Sequence, residues 1–412
     1  MENKVNNYYN YTLRKKKELK LLGVSKIKKE YDNSEDVFNI INNKLKYQAN
    51  LKAAFIKDTY NYQNTGRNSQ ELVFDGFKCS YEYQRYDIKI KQKNFLNLFY
   101  NLNDINYDYV FTNCGMSALF STFYTLNKLS YKVYYASNIY VETERLIDDY
   151  IQRNEFKFEK YALFIDTVSF SYLLNVLEEL DLDMYSIFVI DTTLYLADEL
   201  LPILKKLKLF NKPIILIKSH TKLDMLGIEW SKLGSVCLLC DNAEFQKKFF
   251  DELKIILSFI GGYAYCEDIP LFLSNLNYKS ISYERNKIIK ENTRYIYNKF
   301  MDSPSKYYDI IKPYHDLFLL IKPKKFIGYK QLEKDLHKFA RKKDLKNLIY
   351  YADSFGLDCF GISGYYENMS ADTEVIRISP SDYPIEICNF IIDEIIKWLD
   401  VYLSDKDVGE HL

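Results

Sequence analysis

The chain has 412 residues, 48% of them hydrophobic and 27% charged, and its 56 basic side chains balance 56 acidic ones. This length allows two domains, and this composition excludes an intrinsically disordered protein. Because the net charge is zero, no general field favours nucleic acid or an anionic membrane as a partner.

The order of polar, helix-like and strand-like segments predicts three parts of the chain. Residues 1–60 are polar and Lys-rich and are predicted to form an N-terminal arm, in which the basic cluster at residues 14–17 is a solvated helix face. Residues 61–265 are predicted to form a large domain, and residues 266–412 a connector helix followed by a smaller α+β domain. In the large domain short apolar runs alternate with helix-like segments, which is typical of an α/β domain with a mostly parallel sheet.

The predicted elements follow from hydrophobic periodicity and segment length. The predicted strands of the large domain are residues 109–111, 132–136, 162–165, 187–190, 214–217 and 236–239, with crossover helices that include 169–179 and 194–207. The predicted elements of the C-terminal part are a long helix at 283–301, strands at 318–321 and 375–378, and helices at 329–342 and 384–403.

Three motifs follow predicted strands, and their order points to a cofactor. Residues 113–117 (Asn-Cys-Gly-Met-Ser) form a small-residue turn before a helix, where backbone N–H groups and the helix dipole favour a phosphate. Asp191 follows the run 187–190, and Lys222 ends a Ser-His-Thr-Lys segment that follows the run 214–217. An amine for a Schiff base and a carboxylate for a pyridinium nitrogen are what a pyridoxal phosphate enzyme needs. The sequence therefore predicts pyridoxal 5'-phosphate (PLP) as the cofactor.

The cysteines and the hydropathy pattern favour a cytoplasmic protein without a metal. Seven cysteines, an odd number without a repeating spacing, are typical of reduced thiols. Cys237 and Cys240 have CxxC spacing, but they lie in an apolar run and no second pair completes a zinc site. The N-terminus has no apolar signal core, and no window reaches the length of a membrane span, so no membrane partner is expected.

The motifs occur in the order found in the Cys/Met metabolism family of PLP-dependent enzymes, which includes cystathionine γ-synthase, cystathionine lyases and methionine γ-lyase. The chain resembles this family at low identity over residues 81–398. Residues 114–116 resemble its Ser-Gly-Met phosphate turn, Asp191 the Asp of Val-Asp-Asn-Thr, and residues 219–222 its Ser-Ala-Thr-Lys. The resemblance implies the PLP-dependent transferase fold of type I, an α/β fold. The cofactor-binding residues that it implies are Tyr83, Arg85, Cys114, Gly115, Met116, Tyr140, Asp191, Ser219, Thr221 and Lys222.

The resemblance also implies catalytic roles for three of these residues. Lys222 would form the Schiff base, and Asp191 would keep the pyridine nitrogen protonated. Tyr140 matches the Tyr that begins Tyr-Gly-Gly-Thr, whose ring stacks on the pyridine and whose phenol is a candidate acid and base.

Two residues near the C-terminus are predicted to meet the substrate. Arg377 matches the Arg of Val-Arg-Leu-Ser, which binds the substrate α-carboxylate, and Ser354 lies in a remnant of a Ser-Leu-Gly-Gly segment that lines the substrate side. An unpaired guanidinium inside an apolar strand would be costly, so a carboxylate partner is expected. The alternative partner is an internal acid such as Asp358 or Glu374.

Two further positions carry predictions about assembly and specificity. Tyr83 and Arg85 resemble the family's Tyr-Ser-Arg, which reaches the cofactor phosphate of the neighbouring subunit, so a homodimer or homotetramer with shared active sites is expected. Phe170 stands where the family has the Asn that contacts the phenolic oxygen of the cofactor. The cofactor frame is thus retained while other features differ, which suggests changed specificity.

The resemblance implies an enzyme that acts on an amino acid, as a small-molecule substrate, by β- or γ-elimination or replacement, of the carbon-sulfur lyase or γ-synthase type. One alternative is an aminotransferase or a carbon-bond-forming PLP enzyme of a specialised pathway, because fold and cofactor residues do not separate these reactions. A second alternative is a non-catalytic relative. The joint presence of Asp191, Lys222 and Arg377 argues against it.

Overall fold

The computed structural model describes a large part of the chain, which divides into two compact units. The described residues are 8–21, 71–74, 77–80, 89–90, 96, 99–100, 102, 105–135, 139–151, 159–166, 173–208, 211–228, 232–265, 276–324, 329–342, 345, 348–366 and 374–409. Unit 1 comprises Met1–Tyr47, Leu226–Ile228 and Ser280–Leu412, and unit 2 comprises Gln48–Met225 and Glu229–Lys279.

Unit 2 contains a small antiparallel sheet and a larger sheet with helices. The small sheet is formed by β1 (Glu71–Phe74), β2 (Phe77–Ser80) and β3 (Lys89–Ile90). The strands of the larger sheet are β4 (Tyr107–Thr112), β5 (Tyr131–Tyr135), β6 (Lys160–Ile165), β7 (Ile187–Asp191), β8 (Ile214–Ser219) and β9 (Gly234–Leu239). The helices of this unit are α2 (Gly115–Lys128), α3 (Val141–Arg145, continued by the π-helix Leu146–Ile151), α4 (Leu173–Glu179), α5 (Ala197–Lys208) and α6 (Ala243–Ile260). The N-terminal helix α1 (Tyr8–Leu21) belongs to unit 1.

The larger sheet has the strand order β4-β9-β8-β7-β6-β5. The pairs β5·β6, β6·β7 and β7·β8 are parallel, whereas β9 is antiparallel to both β8 and β4. Strand β4 therefore runs in the same direction as β5 to β8, and the carboxyl ends of these strands lie at one edge. The sheet is mostly parallel, as predicted.

Both faces of this sheet are buried, because successive strand residues such as Phe188 and Val189 are each 0% exposed, which explains its nearly continuous apolar strands. On one face, Phe123 of α2 and Leu253 of α6 belong to a buried cluster that also contains Val189 and Ile215. On α5, Leu200, Ile203, Leu204 and Leu207 are buried as well. The continuous apolar runs in the sequence therefore mark strands that lie inside the unit.

The further elements of unit 1 are α7 (Leu276–Asp302, in this unit from Ser280 onward), β10 (Tyr308–Ile311), β11 (Leu319–Pro323), α8 (Tyr329–Lys342), β12 (Ile349–Tyr351), β13 (Phe360–Tyr366), β14 (Glu374–Ser379) and α9 (Ile385–Gly409). The strands form a five-stranded sheet of mixed direction, with the order β10-β11-β14-β13-β12. Only the pair β12·β13 is parallel among the pairs of this sheet in the described residues. This is the smaller α+β part, and the predicted α/β fold class is confirmed.

Helix α1 packs into the core of unit 1. Tyr11 is part of the apolar cluster formed with this unit's strands and helices. Lys15 is 1% exposed, and its Nζ lies 2.8 Å from Asp358 Oδ1, 3.0 Å from Asp382 Oδ1 and 3.1 Å from Glu18 Oε2. Arg285 pairs with the same Asp358 carboxylate at 3.0 Å.

The predicted solvated helix face at residues 14–17 is therefore wrong for its first two members. Arg14 and Lys15 are both buried, because Asp358 and Asp382, which are distant in the sequence, supply their counter-charges. Lys17 is exposed, as predicted.

None of the helices in the described ranges has the length and hydropathy of a membrane span.

Candidate functional site

Several predicted site residues lie at the edge of the large sheet where its parallel strands end. Cys114 and Gly115 follow β4, Asp191 is the last residue of β7, and Ser219 is the last residue of β8. Parallel strands with connecting helices place their ligand sites at this edge. The fold therefore brings together motifs that are more than 100 residues apart in the sequence.

Gly234 explains why the turn after β4 lies beside the end of β8. This residue begins β9 and is paired with Thr112 of β4 on one side and with Ser219 of β8 on the other. A Cβ atom added to Gly234 would lie 2.5 Å from the carbonyl oxygen of Cys114. A residue without a side chain is needed here for the two segments to approach each other.

Gly115 makes the second close approach between the same segments. A Cβ atom added to it would lie 2.8 Å from Ser219 Cβ and 3.4 Å from Ser219 Oγ. The predicted phosphate turn thus packs directly against the first residue of the Ser-His-Thr-Lys segment. Two parts of the predicted cofactor site are adjacent in the structure.

The turn itself is an ordered N-terminus of α2. Cys114 caps the helix, with its Sγ accepting a hydrogen bond from Ser117 N at 3.3 Å. Ser117 Oγ donates to Asn113 Oδ1 at 2.6 Å, while the Asn113 side chain donates to the carbonyl of Gly261 at 2.9 Å. The first turn of α2 contains no acidic residue, so the positive end of its dipole is left for an anion. Such an N-terminus suits a phosphate group.

Asp191 is a half-buried residue whose surroundings favour a cationic ligand. Its Oδ1 accepts a hydrogen bond from Thr193 N at 2.8 Å. Burial raises the pKa of Asp191, and the opposing effects of Thr193, Lys218 and Lys222 lower it only in part. Because the charges of Lys218 and Lys222 act on this carboxyl, the strand-end acid and the predicted Schiff-base lysine share one neighbourhood. An additional N–H donor or positive charge would stabilise the ionised carboxylate.

The segment that carries Lys222 is tied to the loop after Asp191. Ser219 N donates to Thr193 Oγ1 at 2.9 Å, and Thr192 N donates to Ile217 O at 2.7 Å. The side chains of Ser219, Thr221 and Lys222 are half-buried. Hydroxyls and an amine are therefore present where the resemblance places phosphate ligands and the Schiff-base lysine.

Tyr140 is held at this edge by a hydrogen bond to the side chain of Asp166. Its backbone N donates to Asp166 Oδ2 at 2.8 Å, and Asp166, which directly follows β6, is only 3% exposed. Tyr140 is half-buried at the start of α3. Asp166 carries no predicted role in the sequence. It lies buried directly after a strand, and its carboxylate accepts the hydrogen bond that holds the Tyr140 backbone at this edge.

Arg377 and Ser354 belong to unit 1 and are described within it. Arg377, on β14, is 6% exposed and donates from its guanidinium to Ser363 Oγ at 3.0 Å and to the carbonyl of Ala352 at 3.2 Å. Both of these acceptors are neutral oxygen atoms. Ser354 is 8% exposed. The approach of either residue to Lys222 stays a prediction.

Three predicted residues, Tyr83, Arg85 and Phe170, lie outside the described residues. The described residues contain no cluster of His, Cys, Asp and Glu that could hold a metal ion.

Comparison with known protein families finds no match, and none of the curated proteins matches the chain. Solved structures do show similarity. Cystathionine γ-lyase from yeast is 16% identical, with 77% of this chain and 87% of that one covered and a TM-score of 0.49. The broad specificity aminotransferase from Leishmania mexicana is 10% identical, with 83% of this chain and 85% of that one covered and a TM-score of 0.46. The aspartate aminotransferase of Plasmodium falciparum is 13% identical, with 75% of this chain and 82% of that one covered and a TM-score of 0.44.

Proposed function

We propose that the chain is a PLP-dependent enzyme acting on an amino acid, with Lys222 as the lysine that carries the cofactor. The observation that supports this most is the contact geometry at the sheet edge. Gly115 of the predicted phosphate turn lies against Ser219, three residues before Lys222, and Asp191 ends the neighbouring strand β7. An anion seat, a carboxylate and an amine thus belong to segments that meet at one edge of the sheet.

The chemistry of these groups fits PLP. The N-terminus of α2, with the hydroxyls of Ser219 and Thr221, would hold the phosphate. The Asp191 carboxyl, whose pKa burial raises, would be stabilised in its ionised form by a protonated ring nitrogen. The Lys222 amine would attach to the aldehyde carbon. When bound, PLP supplies an electron sink for the α-carbon of an amino acid.

The residues of the chain would then take different roles in the reaction. Asp191 would hold a proton at the ring nitrogen, and Lys222 Nζ would remove the proton from the substrate α-carbon. Tyr140 would lie against the ring and act as a second proton carrier. Arg377 would bind the substrate α-carboxylate, with Ser354 beside it. Each role is a proposal that rests on the position of the residue in its unit and on the family resemblance.

The order of the motifs favours β- or γ-elimination or replacement, of the carbon-sulfur lyase or γ-synthase type. We test this by incubating the purified protein with PLP and with cysteine, cystathionine, methionine and O-acylated homoserines. Elimination releases a 2-oxo acid and ammonia, whereas transamination leaves the amino group on the cofactor. The proposed reaction is supported by ammonia and a 2-oxo acid in equal amounts and contradicted by amine transfer alone.

The proposed assembly is a homodimer or homotetramer with shared sites, because Tyr83 and Arg85 are expected to serve the neighbouring subunit. Mixing Arg85→Ala subunits with Lys222→Ala subunits should restore activity, because a heterodimer has one site with both residues intact. Subunits that exchange and stay inactive would contradict shared sites. A second mixture, of Lys222→Ala with Asp191→Ala subunits, serves as the control and should stay inactive, because both residues belong to the same subunit's site.

A further inference from the structure

The segment that carries Lys222 contains a buried histidine with two side-chain partners. His220 is 0% exposed, its Nδ1 lies 2.8 Å from Asp224 Oδ2, and its Nε2 lies 2.8 Å from Ser235 Oγ. Its backbone N donates to Leu233 O at 2.8 Å. His220 thus connects both ends of the turn at residues 219–224 to the start of β9.

The chemistry of its partners fixes the proton on the ring. A carboxylate only accepts, so Nδ1 carries the proton and donates it to Asp224, and Nε2 accepts from the Ser235 hydroxyl. Burial lowers the pKa of His220, although Asp224 opposes this effect. Phe99 and Phe111 pack against the ring, with centroids at 4.3 Å and 5.9 Å. A neutral imidazole with its proton on Nδ1 therefore satisfies both side-chain hydrogen bonds of His220.

Lys218 extends the connection to the loop that follows Asp191. Its Nζ lies 3.6 Å from Asp224 Oδ2 and donates to the carbonyl of Tyr195 at 3.1 Å, and the side chain is 2% exposed. The Tyr278 hydroxyl donates to the Asp224 backbone carbonyl. Asp224 is thus held at its carboxylate by two side chains and at its backbone by a third.

We propose that His220 is a positioning residue for Lys222. Its bonds to Asp224 and Ser235 hold the turn at residues 219–224, and through Lys218 they fix that turn relative to the loop of Asp191. The inference rests on the proposed role of Lys222. The resemblance does not supply it, because the related motif is Ser-Ala-Thr-Lys, and alanine has no side chain that could make these bonds.

A local measurement on the full-length protein without PLP tests the proposal. Amide hydrogen exchange of peptides spanning residues 219–225, and the rate of reductive methylation of Lys222, are compared across three variants. His220→Ala removes both bonds, and His220→Asn keeps a donor for Asp224. Ile215→Val, a change in the buried apolar part of β8, is the control for general loss of stability.

In His220→Ala both rates should rise about threefold to tenfold, because one or two buried hydrogen bonds shift a local opening equilibrium on this scale. The rise should be confined to this turn and the loop after Asp191, and His220→Asn should restore part of the protection. Ile215→Val should leave both rates in the turn unchanged. Equal rates in His220→Ala and the unmodified protein would overturn the proposal, and so would an equal rise in Ile215→Val.

If His220→Ala does not fold, Ser235→Ala tests the same connection by removing the hydroxyl that bonds His220 Nε2. It should raise both rates in the same direction by a smaller factor, and unchanged rates would overturn the proposal. Neither readout uses PLP. A protein that fails to bind PLP at Lys222 but shows the expected changes would therefore refute the proposed function and leave the positioning role intact.

Discussion

Gly115→Ala should disturb the contact between the phosphate turn and the segment of Lys222. The new Cβ atom would lie 2.8 Å from Ser219 Cβ and 3.4 Å from Ser219 Cα, and neither atom belongs to the far end of a flexible side chain. Overpacking of this kind costs about 1–3 kcal/mol. The better helix propensity of Ala offsets less than about 1 kcal/mol at the first position of α2. We therefore expect a net loss of about 1–2 kcal/mol.

The matched background is Ser219→Gly, because it removes the Cβ atom that the new methyl group would meet. In that background the clash is absent and the propensity gain remains, so Gly115→Ala should be neutral or stabilising by less than about 1 kcal/mol. The double-mutant cycle should therefore show a coupling energy of about 1–3 kcal/mol, the cost of the overpacking. The free energy of unfolding is measured without PLP, by hydrogen exchange of the buried strands β7 and β8, which belong to unit 2. Equal costs of Gly115→Ala in the two backgrounds would refute the contact.

Three other outcomes follow from the buried charges. Lys15→Met should destabilise unit 1 by about 3–5 kcal/mol in urea unfolding, because the buried carboxylates of Glu18, Asp358 and Asp382 are then left with one positive charge too few, while Lys17→Met at the exposed surface should cost under about 0.5 kcal/mol. Burial raises the pKa of Asp382, but Lys15 and Arg285 outweigh it and lower this pKa to about 2, so its contribution to stability should be lost as the pH falls from about 4 to about 2. Acid titration of Asp382→Asn should lack that step. Asp191→Asn should keep PLP but lose turnover on the order of 100-fold in steady-state kinetics, because a neutral amide does not hold the ring nitrogen protonated; near-normal turnover would contradict the role of Asp191.

The larger sheet was predictable because its strands are buried on both faces. Continuous apolar runs at 187–190 and 214–217 need no alternation to be recognised, and they coincide with β7 and β8 within one or two residues. The site motifs were found for a related reason: the turn, the acid and the lysine each directly follow such a run. Strand direction then places them at one edge.

The contacts between these motifs could not be predicted in the same way. The approach of Gly115 to Ser219 depends on Gly234, whose place between β4 and β8 results from an antiparallel strand inserted into an otherwise parallel sheet. Hydrophobic periodicity does not show strand order or direction. Ser235, the partner of His220, lies in the same strand, so the histidine's role was hidden as well.

The burial of charged side chains is a second feature that the sequence pattern does not predict. Lys15 lies in a Lys-rich helix whose composition indicates a solvated surface, and its partners Asp358 and Asp382 are more than 340 residues away in the sequence. Local composition predicts exposure because most lysines are exposed. Only the tertiary structure shows that three carboxylates pair with the Lys15 ammonium group.

Reduction with borohydride after incubation with PLP tests the central proposal most directly. The treatment fixes the cofactor to the amine that carries it, and peptide mapping by mass spectrometry then identifies that lysine. Lys218 and Lys222 are both close enough to act on Asp191, so the mapping must separate these two. We predict one pyridoxyl group per chain, on Lys222, and none in Lys222→Arg. Labelling of Lys218 or of another lysine, or labelling that persists in Lys222→Arg, would contradict the proposed cofactor site.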